Sequence, residues 1–201
     1  MPSLRRAFTL IELLIVVAII AILAAIAVPN FLEAQTRAKV SRVKSDLRSI
    51  ATAIESYRVD VNLYPYASPD TDLAAPVMTT TYDGHLSALI TTPIAYITSL
   101  PIDAFKSMDP AESRAPFHYA QRRQSQALDG PAFFESALMN LDGAHWECCE
   151  WFTFSHGPDL DEDTDITLAS ADTATQLYDP TNGTVSSGDI YNLGPCIGFL
   201  R

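Results

Sequence analysis

The fold is decided by the stretch Arg5-Arg6-Ala7-Phe8-Thr9-Leu10-Ile11-Glu12, which leads into an uncharged apolar run ending at Val28. As a helix, residues 8–28 would span about 31 Å, which matches the apolar thickness of a bilayer. Glu12 is the one carboxylate in residues 8–28, and an ionisable residue at that depth is costly enough to mark a functional site. A cut between Ala7 and Phe8 would create an α-amino group four residues before Glu12, where it can neutralise the carboxylate.

These residues resemble the cleavage and methylation signature of type IV prepilins, the class that includes type IV pilins and the pseudopilins of type II secretion. The match continues without a gap to about Tyr64 and Pro65. It implies that a prepilin peptidase removes residues 1–7 and that Phe8 becomes N-methylated. Ala7 stands where the family usually has glycine, and another small residue should still fit the peptidase.

The resemblance also implies a pilin-like α+β fold, in which one long N-terminal helix packs on a small antiparallel sheet with a loop-rich C-terminal region. Pro29 is expected to kink or open the helix locally. The predicted organisation is a leader (1–7), a transmembrane and filament-core helix (8–28), an amphipathic helix (29–64) and an exported globular domain (65–201). The amphipathic half should bury one stripe against the domain, formed by Val43, Leu47, Ile50, Ile54 and Tyr57.

The globular region predicts several short elements between prolines. Residues 117–119 and 150–155 alternate between apolar and polar side chains, which is typical of short strands. A further strand is expected within 190–199, and a short helix within 86–91.

Charge is distributed unevenly along the chain. Residues 8–60 carry six basic and five acidic side chains, whereas residues 61–201 carry five basic and 19 acidic ones. A domain this acidic is a poor surface for nucleic acid. Arg5 and Arg6 favour a cytoplasmic N-terminus, although the basic residues at 37–48 favour the opposite orientation. The resemblance implies a single-pass protein of the inner membrane with its C-terminal domain in the periplasm, which later enters a filament.

An acidic loop at 155–166 is the strongest signal outside the helix, with carboxylates at Asp159, Asp161, Asp163 and Asp165. Alternating carboxylates can surround one hard cation, and Ca²⁺ takes about 6–8 oxygen ligands. The loop resembles the calcium loop of the major pseudopilin, which implies a structural calcium ion. Asp159 and Asp165 match the ligand positions best, with Asp161 and Asp163 as supplements. A solvated acidic loop is the alternative reading.

Cysteine and histidine placement leaves the disulfide pattern open. Cys196 can bridge to either Cys148 or Cys149, and one thiol remains. A zinc site built from His145, Cys148, Cys149 and His156 is disfavoured, because two adjacent cysteines do not fit the usual ligand spacing. The sequence contains no nucleophile elbow, metalloprotease helix or phosphate-binding glycine loop, so an enzyme is not expected.

We therefore expect a structural subunit of a type II secretion-like pseudopilus, in which Glu12 helps to set the register between helices. The implied partners are the prepilin peptidase, further copies of the chain, minor pseudopilins and an inner-membrane assembly platform. Two alternatives stay open: a type IV pilus subunit for adhesion, motility or DNA uptake, and a membrane-tethered periplasmic binding domain that does not polymerise. An ordinary signal peptide is disfavoured, because its apolar core would be only about 7–15 residues long.

Overall fold

The architecture is one long helix against a small antiparallel sheet, as expected from the sequence. The computed structural model describes residues 8–68, 85–86, 88–105, 117–123, 149–160, 178–181 and 188–195. Within them lie helix α1 (Leu10–Val61), one 3-10 turn (Ala88–Ile90) and the strands β1 (Ala67–Ser68), β2 (His85–Leu86), β3 (His118–Gln121), β4 (Trp151–Ser155) and β5 (Ile190–Leu193).

Helix α1 runs without interruption through Pro29. The helix is not broken at this position, and the predicted kink or local opening stays a prediction. Proline removes a single hydrogen-bond donor from the helix, and the turns on either side keep theirs. The helix ends at Asn62, which adopts a left-handed conformation (φ 60°) and donates its backbone N–H to the carbonyl of Arg58, 2.9 Å away. This αL cap ends the helix within the predicted range, before Pro65.

The second half of α1 carries the predicted apolar stripe. Tyr57 is partly buried at the edge of this stripe. The spacing of three and four residues places one face of the helix against the sheet. The fully buried positions of the helix are Val40, Val43, Leu47, Ile50, Ala53 and Ile54.

The sheet is a meander, in which strands β1 to β5 pair in chain order and each pair is antiparallel. Side chains of β3, β4 and β5 that face the helix include Tyr119, Trp151 and Ile190, which join the core formed with α1. Asn192 faces the same way and donates its side-chain N–H to the backbone oxygen of Leu47, 2.9 Å away. Helix and sheet are thus joined by apolar packing and by polar contacts.

The opposite face of the sheet is also buried, which the sequence did not indicate. All five residues of β4 are buried. Phe152 and Phe154 belong to a second apolar cluster with Ala120 and Cys149. The predicted strand is confirmed, and both of its sides are buried: Thr153 lies on the helix-facing side, and Phe152 and Phe154 occupy the other.

Candidate functional site

The start of α1 is organised by a reciprocal pair of contacts between Thr9 and Glu12. The Thr9 backbone N–H and hydroxyl donate to Glu12 Oε2, at 2.9 and 2.8 Å. The Glu12 backbone N–H donates in return to the Thr9 hydroxyl, at 3.3 Å. This arrangement is a capping box, which gives acceptors to backbone N–H groups that have none within the helix at its N-terminus.

The capping box changes two sequence-based expectations. The helix begins at Leu10, with Phe8 and Thr9 outside it, so the predicted helical segment from residue 8 starts two residues too early. Glu12 also has donors within its own chain before any new amine is created. Thr9 was missed as a partner, although the pattern Thr-x-x-Glu before an apolar run is a known signal for this cap. Phe8 is 75% exposed. Ala7, the predicted cleavage residue, lies outside the described residues.

The first half of α1 is apolar on all sides and exposed. None of its large side chains from Leu10 to Leu32 is buried against the domain. Burying one such Leu, Ile or Phe is worth about 1.5–3 kcal/mol, so the surface as a whole requires an apolar environment. By length and composition the helix is able to cross a membrane. This part of the chain therefore fits a single-pass membrane anchor.

The acidic loop is described only as far as Leu160. Asp159 Oδ2 accepts the backbone N–H of Gly188, at 3.2 Å, which ties the loop after β4 to the segment before β5. Gly157 (φ 76°) makes this approach possible, because a Cβ there would lie 2.5 Å from the Gly188 carbonyl oxygen. Asp189 is fully buried and accepts the hydroxyl of Tyr191 at Oδ2, 3.2 Å away. The sequence analysis did not single out this second carboxylate.

The remaining predicted metal ligands, Asp161, Asp163 and Asp165, lie outside the described residues. Within the residues that are described, no three His, Cys, Asp or Glu side chains form a group that could hold a metal ion. The four predicted ligands are aspartates, and calcium prefers such carboxylate oxygens. Gly188 holds the first of them, Asp159, in place through its backbone N–H. The calcium site stays a prediction.

The predicted cysteine and histidine relationships are only partly described. Cys149 is buried, and burial raises the pKa of its thiol. Cys148, Cys196 and His145 lie outside the described residues, so the disulfide pairing remains a prediction. His156 lies against His118, 38 residues earlier, with their Nε2 atoms 2.8 Å apart. Sequence reasoning had grouped His156 with its chain neighbours and missed this contact.

Glu55 on α1 is a further residue with a distant partner. Its Oε1 accepts the indole N–H of Trp151, at 2.8 Å. The contact connects residues 96 positions apart and lies at the helix–sheet boundary. Local helical periodicity carries no information about a partner that distant, so this contact could not be read from the sequence.

Comparisons with known proteins concern mainly the N-terminal third of the chain. The family model of the prokaryotic N-terminal methylation motif matches residues 2–28. Type IV major pilin protein PilA of Myxococcus xanthus is 53% identical over 60 residues, which are 30% of this chain and 27% of that protein. Type IV major fimbrial protein FimA of Dichelobacter nodosus is 55% identical over 60 residues, 30% of this chain and 38% of its own.

A second kind of relative matches the same region. Type II secretion system core protein G of Pseudomonas aeruginosa is 43% identical over 61 residues, which are 30% of this chain and 43% of that protein. The chain spans less than half the length of each of these curated relatives. No solved structure matches it. With the capped apolar helix, these similarities identify the N-terminal region as that of a type IV prepilin-like protein, resembling both type IV pilins and a type II secretion pseudopilin.

Proposed function

We propose that this chain is a structural subunit of a type II secretion-like pseudopilus, assembled from the inner membrane after a prepilin peptidase removes residues 1–7. The observation that carries the proposal is the exposed apolar half of α1, with one carboxylate near its start. The domain would lie in the periplasm and the N-terminus in the cytoplasm. Minor pseudopilins and an inner-membrane platform are the further partners proposed.

A filament provides a second apolar environment for the same surface. In the membrane the helix is surrounded by lipid, and in a filament it would be surrounded by the helices of other copies. Transfer from the membrane to the filament keeps the apolar side chains away from water, so extraction from the membrane does not expose them to solvent. The basic and acidic residues of the second half of α1 then lie outside this apolar bundle.

Glu12 is proposed to set the register between neighbouring helices. Its carboxylate is already oriented by Thr9, and cleavage would add the amine of Phe8 close to the same cap. A charge placed among apolar helices without a partner is strongly destabilising, whereas a paired charge costs less. Only a register in which each Glu12 meets the amine of a neighbouring copy avoids that cost.

Two matched substitutions test this role. Glu12→Ala removes the charge and the cap, while Thr9→Val removes the hydroxyl of the cap but keeps the charge. We expect both variants to enter the membrane, since neither makes the helix more polar. Filament yield, measured by immunoblot of sheared surface fractions, should fall sharply for Glu12→Ala and much less for Thr9→Val. A normal yield from Glu12→Ala subunits would contradict the assignment.

A type IV pilus subunit is the second candidate function, because type IV pilins match the same N-terminal region at 53% and 55% identity. The type II secretion core protein G matches that region at 43%, so similarity there does not separate the two candidates. The genes beside this one distinguish the candidates. A secretin and a secretion ATPase support the pseudopilus, and a retraction ATPase with pilus genes supports the pilus.

Calcium is the cofactor proposed for the acidic loop. Asp159 would supply one ligand, and Asp161, Asp163 and Asp165 would supply the others. The support is the choice of residues together with the contact of Asp159 with Gly188, which holds the first of the four carboxylates beside the start of β5. An ion bound there would connect two loops of the globular domain and stabilise it against unfolding. The role proposed for this ion is structural.

A further inference from the structure

A basic groove lies between the second half of α1 and the segment 178–180. Its volume is about 280 Å³. Arg37, Lys44 and Arg48 line it from the helix, and Tyr178 and Pro180 line it from the facing segment. The proposed function depends on the apolar first half of α1 and assigns no role to this groove.

The three cations of the groove lie on one side of the helix. Arg37, Lys44 and Arg48 are separated by seven and four residues, and these spacings bring side chains to the same face. They are spread over about 16 Å of helix, at 1.5 Å per residue. Like charges this close repel each other, and no carboxylate among the described residues lines the groove with them. An anionic partner lying along the groove would relieve this repulsion.

Little of this positive charge is neutralised within the chain. Arg37 forms an ion pair with Glu33, one turn earlier. Lys44 places its Nζ 5.4 Å from the centroid of the Tyr178 ring. In the part of the chain that the structure describes, neither Lys44 nor Arg48 forms an ion pair, and Arg48 is exposed. Two of the three cations can therefore pair with carboxylates of another molecule.

The facing wall of the groove is attached to the sheet. Tyr178 donates its backbone N–H to the carbonyl of Asp189, just before β5, at 3.1 Å, and it packs against the core. The carboxylate of the next residue, Asp179, accepts the backbone N–H and the hydroxyl of Thr181, at 2.8 and 2.7 Å. Asp179 does not line the groove. The charge of the groove therefore comes from the helix.

The charge of the rest of the chain indicates the partner. Residues 37–48 carry five basic side chains and one acidic one, whereas residues 61–201 carry five basic and 19 acidic ones. Two copies placed side by side would repel each other through their acidic domains. The basic groove is a surface that attracts such a domain, and complementary charge of this kind fixes the register and orientation of two partners.

The distance from the membrane argues against a lipid as the partner. The apolar run ends at Val28. At 1.5 Å per residue, Lys44 lies about 24 Å farther along the helix and Arg48 about 30 Å. The polar headgroup layer extends only about 5–8 Å beyond the hydrocarbon core. Lipid phosphates therefore reach neither cation while residues 8–28 span the bilayer.

We propose that the basic groove receives carboxylates from the globular domain of a second copy of the chain. Lys44 and Arg48 form the ion pairs, and Arg37 adds its charge at the end nearer the membrane. The inference rests on the proposed function, because association of copies is what brings a neighbouring domain to this part of α1. The groove would add a second contact between copies, outside the apolar bundle in which Glu12 sets the register.

A crosslink without a spacer tests the identity of the partner. Full-length chain is prepared with light and with heavy nitrogen, mixed in equal amounts and placed in phosphatidylcholine vesicles, whose headgroups carry no net charge. A carbodiimide then joins lysine amines to carboxylates in contact with them. Mass spectrometry should find Lys44 joined to an Asp or Glu of residues 61–201, in peptides that combine the two isotopes. Lys39, whose Nζ lies over the Phe105 ring, is outside the groove and should be joined far less often.

Three results of this experiment would overturn the proposal. Products that contain only one isotope would show that Lys44 contacts its own chain. The absence of any product at Lys44 would leave a solvated basic surface. Loss of the product when phosphatidylglycerol is included would assign the groove to lipid phosphate. Raising the salt concentration from about 0.1 to 1 M should reduce the expected product, because the screening length falls from about 10 to 3 Å.

Two double variants with the same net charge separate the groove from general electrostatics. Lys44→Gln with Arg48→Gln removes two charges from the groove, and Lys39→Gln with Arg42→Gln removes two from outside it. Sedimentation equilibrium in detergent measures the association of copies, and melting curves check that both variants fold. The groove variant should weaken association about 2–30-fold, the usual effect of losing two exposed ion pairs, and the matched variant less than about twofold. An equal loss in both variants would overturn the proposal.

Filament yield separates this proposal from the proposed function. If the natural chain forms no filaments, the proposed function fails, and the crosslink between copies in vesicles still decides what the groove binds. If the natural chain forms filaments, the groove variant should form fewer than the matched variant. Equal yields from the two variants would overturn the assignment of the groove and leave the proposed function intact.

Discussion

Gly194→Ala is expected to loosen the contact between the sheet and α1, because no room exists for a methyl group at this position. A Cβ built on Gly194 would lie 2.4, 2.5 and 2.6 Å from Nε1, Cε2 and Cδ1 of Trp151. Trp151 is 1% exposed, and its indole N–H is held by Glu55. Gly194 itself donates its backbone N–H to the Trp151 carbonyl, at 2.8 Å, so neither partner can withdraw easily.

The magnitude follows from two separate costs. Forcing an extra carbon into a packed core costs about 1–3 kcal/mol. Moving the indole away from Glu55 would leave a buried N–H without its acceptor, which costs about 1–3 kcal/mol more. Gly194, unlike Gly157 and Gly188, is not in the left-handed region, so alanine adds no backbone strain. The expected loss is about 2–6 kcal/mol in the free energy of unfolding, or on the order of 10 °C in melting temperature.

Denaturant unfolding of the full chain in detergent, followed by near-ultraviolet circular dichroism, measures this loss. The matched control is a double-mutant cycle with Trp151→Phe, which removes the indole N–H and part of the colliding ring. Adding Gly194→Ala to that variant should cost at least about 1 kcal/mol less stability than adding it to the natural chain. The reason is that the effects of substitutions at two residues in contact do not add. A loss below about 0.5 kcal/mol, the usual effect of a surface change, would refute the described contact.

Three further predictions concern the core, alkaline pH and calcium. Leu47→Ala should destabilise the domain by about 2–5 kcal/mol in denaturant unfolding, because Leu47 is 1% exposed, while Arg48→Ala on the exposed side should stay within about 0.5 kcal/mol. Burial raises the pKa of Tyr64 to about 12, above its ordinary value of 10.0, so the stability it contributes is intact below pH 10 and should decline between pH 10 and 12. Tyr64→Phe should make a pH titration of the melting temperature flatter in that range, and an equally steep decline would contradict this cause. Calcium at roughly one hundred times its Kd should stabilise the domain by about 2.7 kcal/mol, with Mg²⁺ doing less. In melting curves recorded with calcium and with chelator, Asp159→Ala should remove most of this effect and Asp179→Ala should keep it. If the natural chain melts identically in calcium and in chelator, the loop binds no calcium and is only a solvated acidic loop.

The parts of the fold that the sequence predicted well are those controlled by local pattern. The apolar stripe containing Val43 and Leu47 follows helical periodicity, and it is buried as expected. The strands near 118, 151 and 190 begin within one residue of the predicted positions. Helix α1 ends at Val61, shortly before Pro65, as the sequence predicted. The αL cap at Asn62 is a local feature of the same kind.

Contacts between distant segments were not predictable from a single sequence. Glu55 accepts the indole N–H of Trp151, a donor that only the folded sheet brings near. His118 and His156 meet for the same reason. The burial of both faces of β4 depends on what covers the sheet, and alternation along one strand does not report that. Thr9 is different, because its capping pattern with Glu12 was present in the sequence.

The most direct test of the proposed filament subunit is mass spectrometry of sheared surface filaments purified from the cells that make this chain. We expect filaments rich in this protein, with an N-terminal peptide that begins at Phe8 and carries one methyl group on its amine. The same peptide should be absent when Ala7 is changed to Asp, because cleavage is then blocked. Finding the chain only in the membrane fraction, still beginning at Met1 in cells with an active peptidase, would contradict the proposed filament subunit.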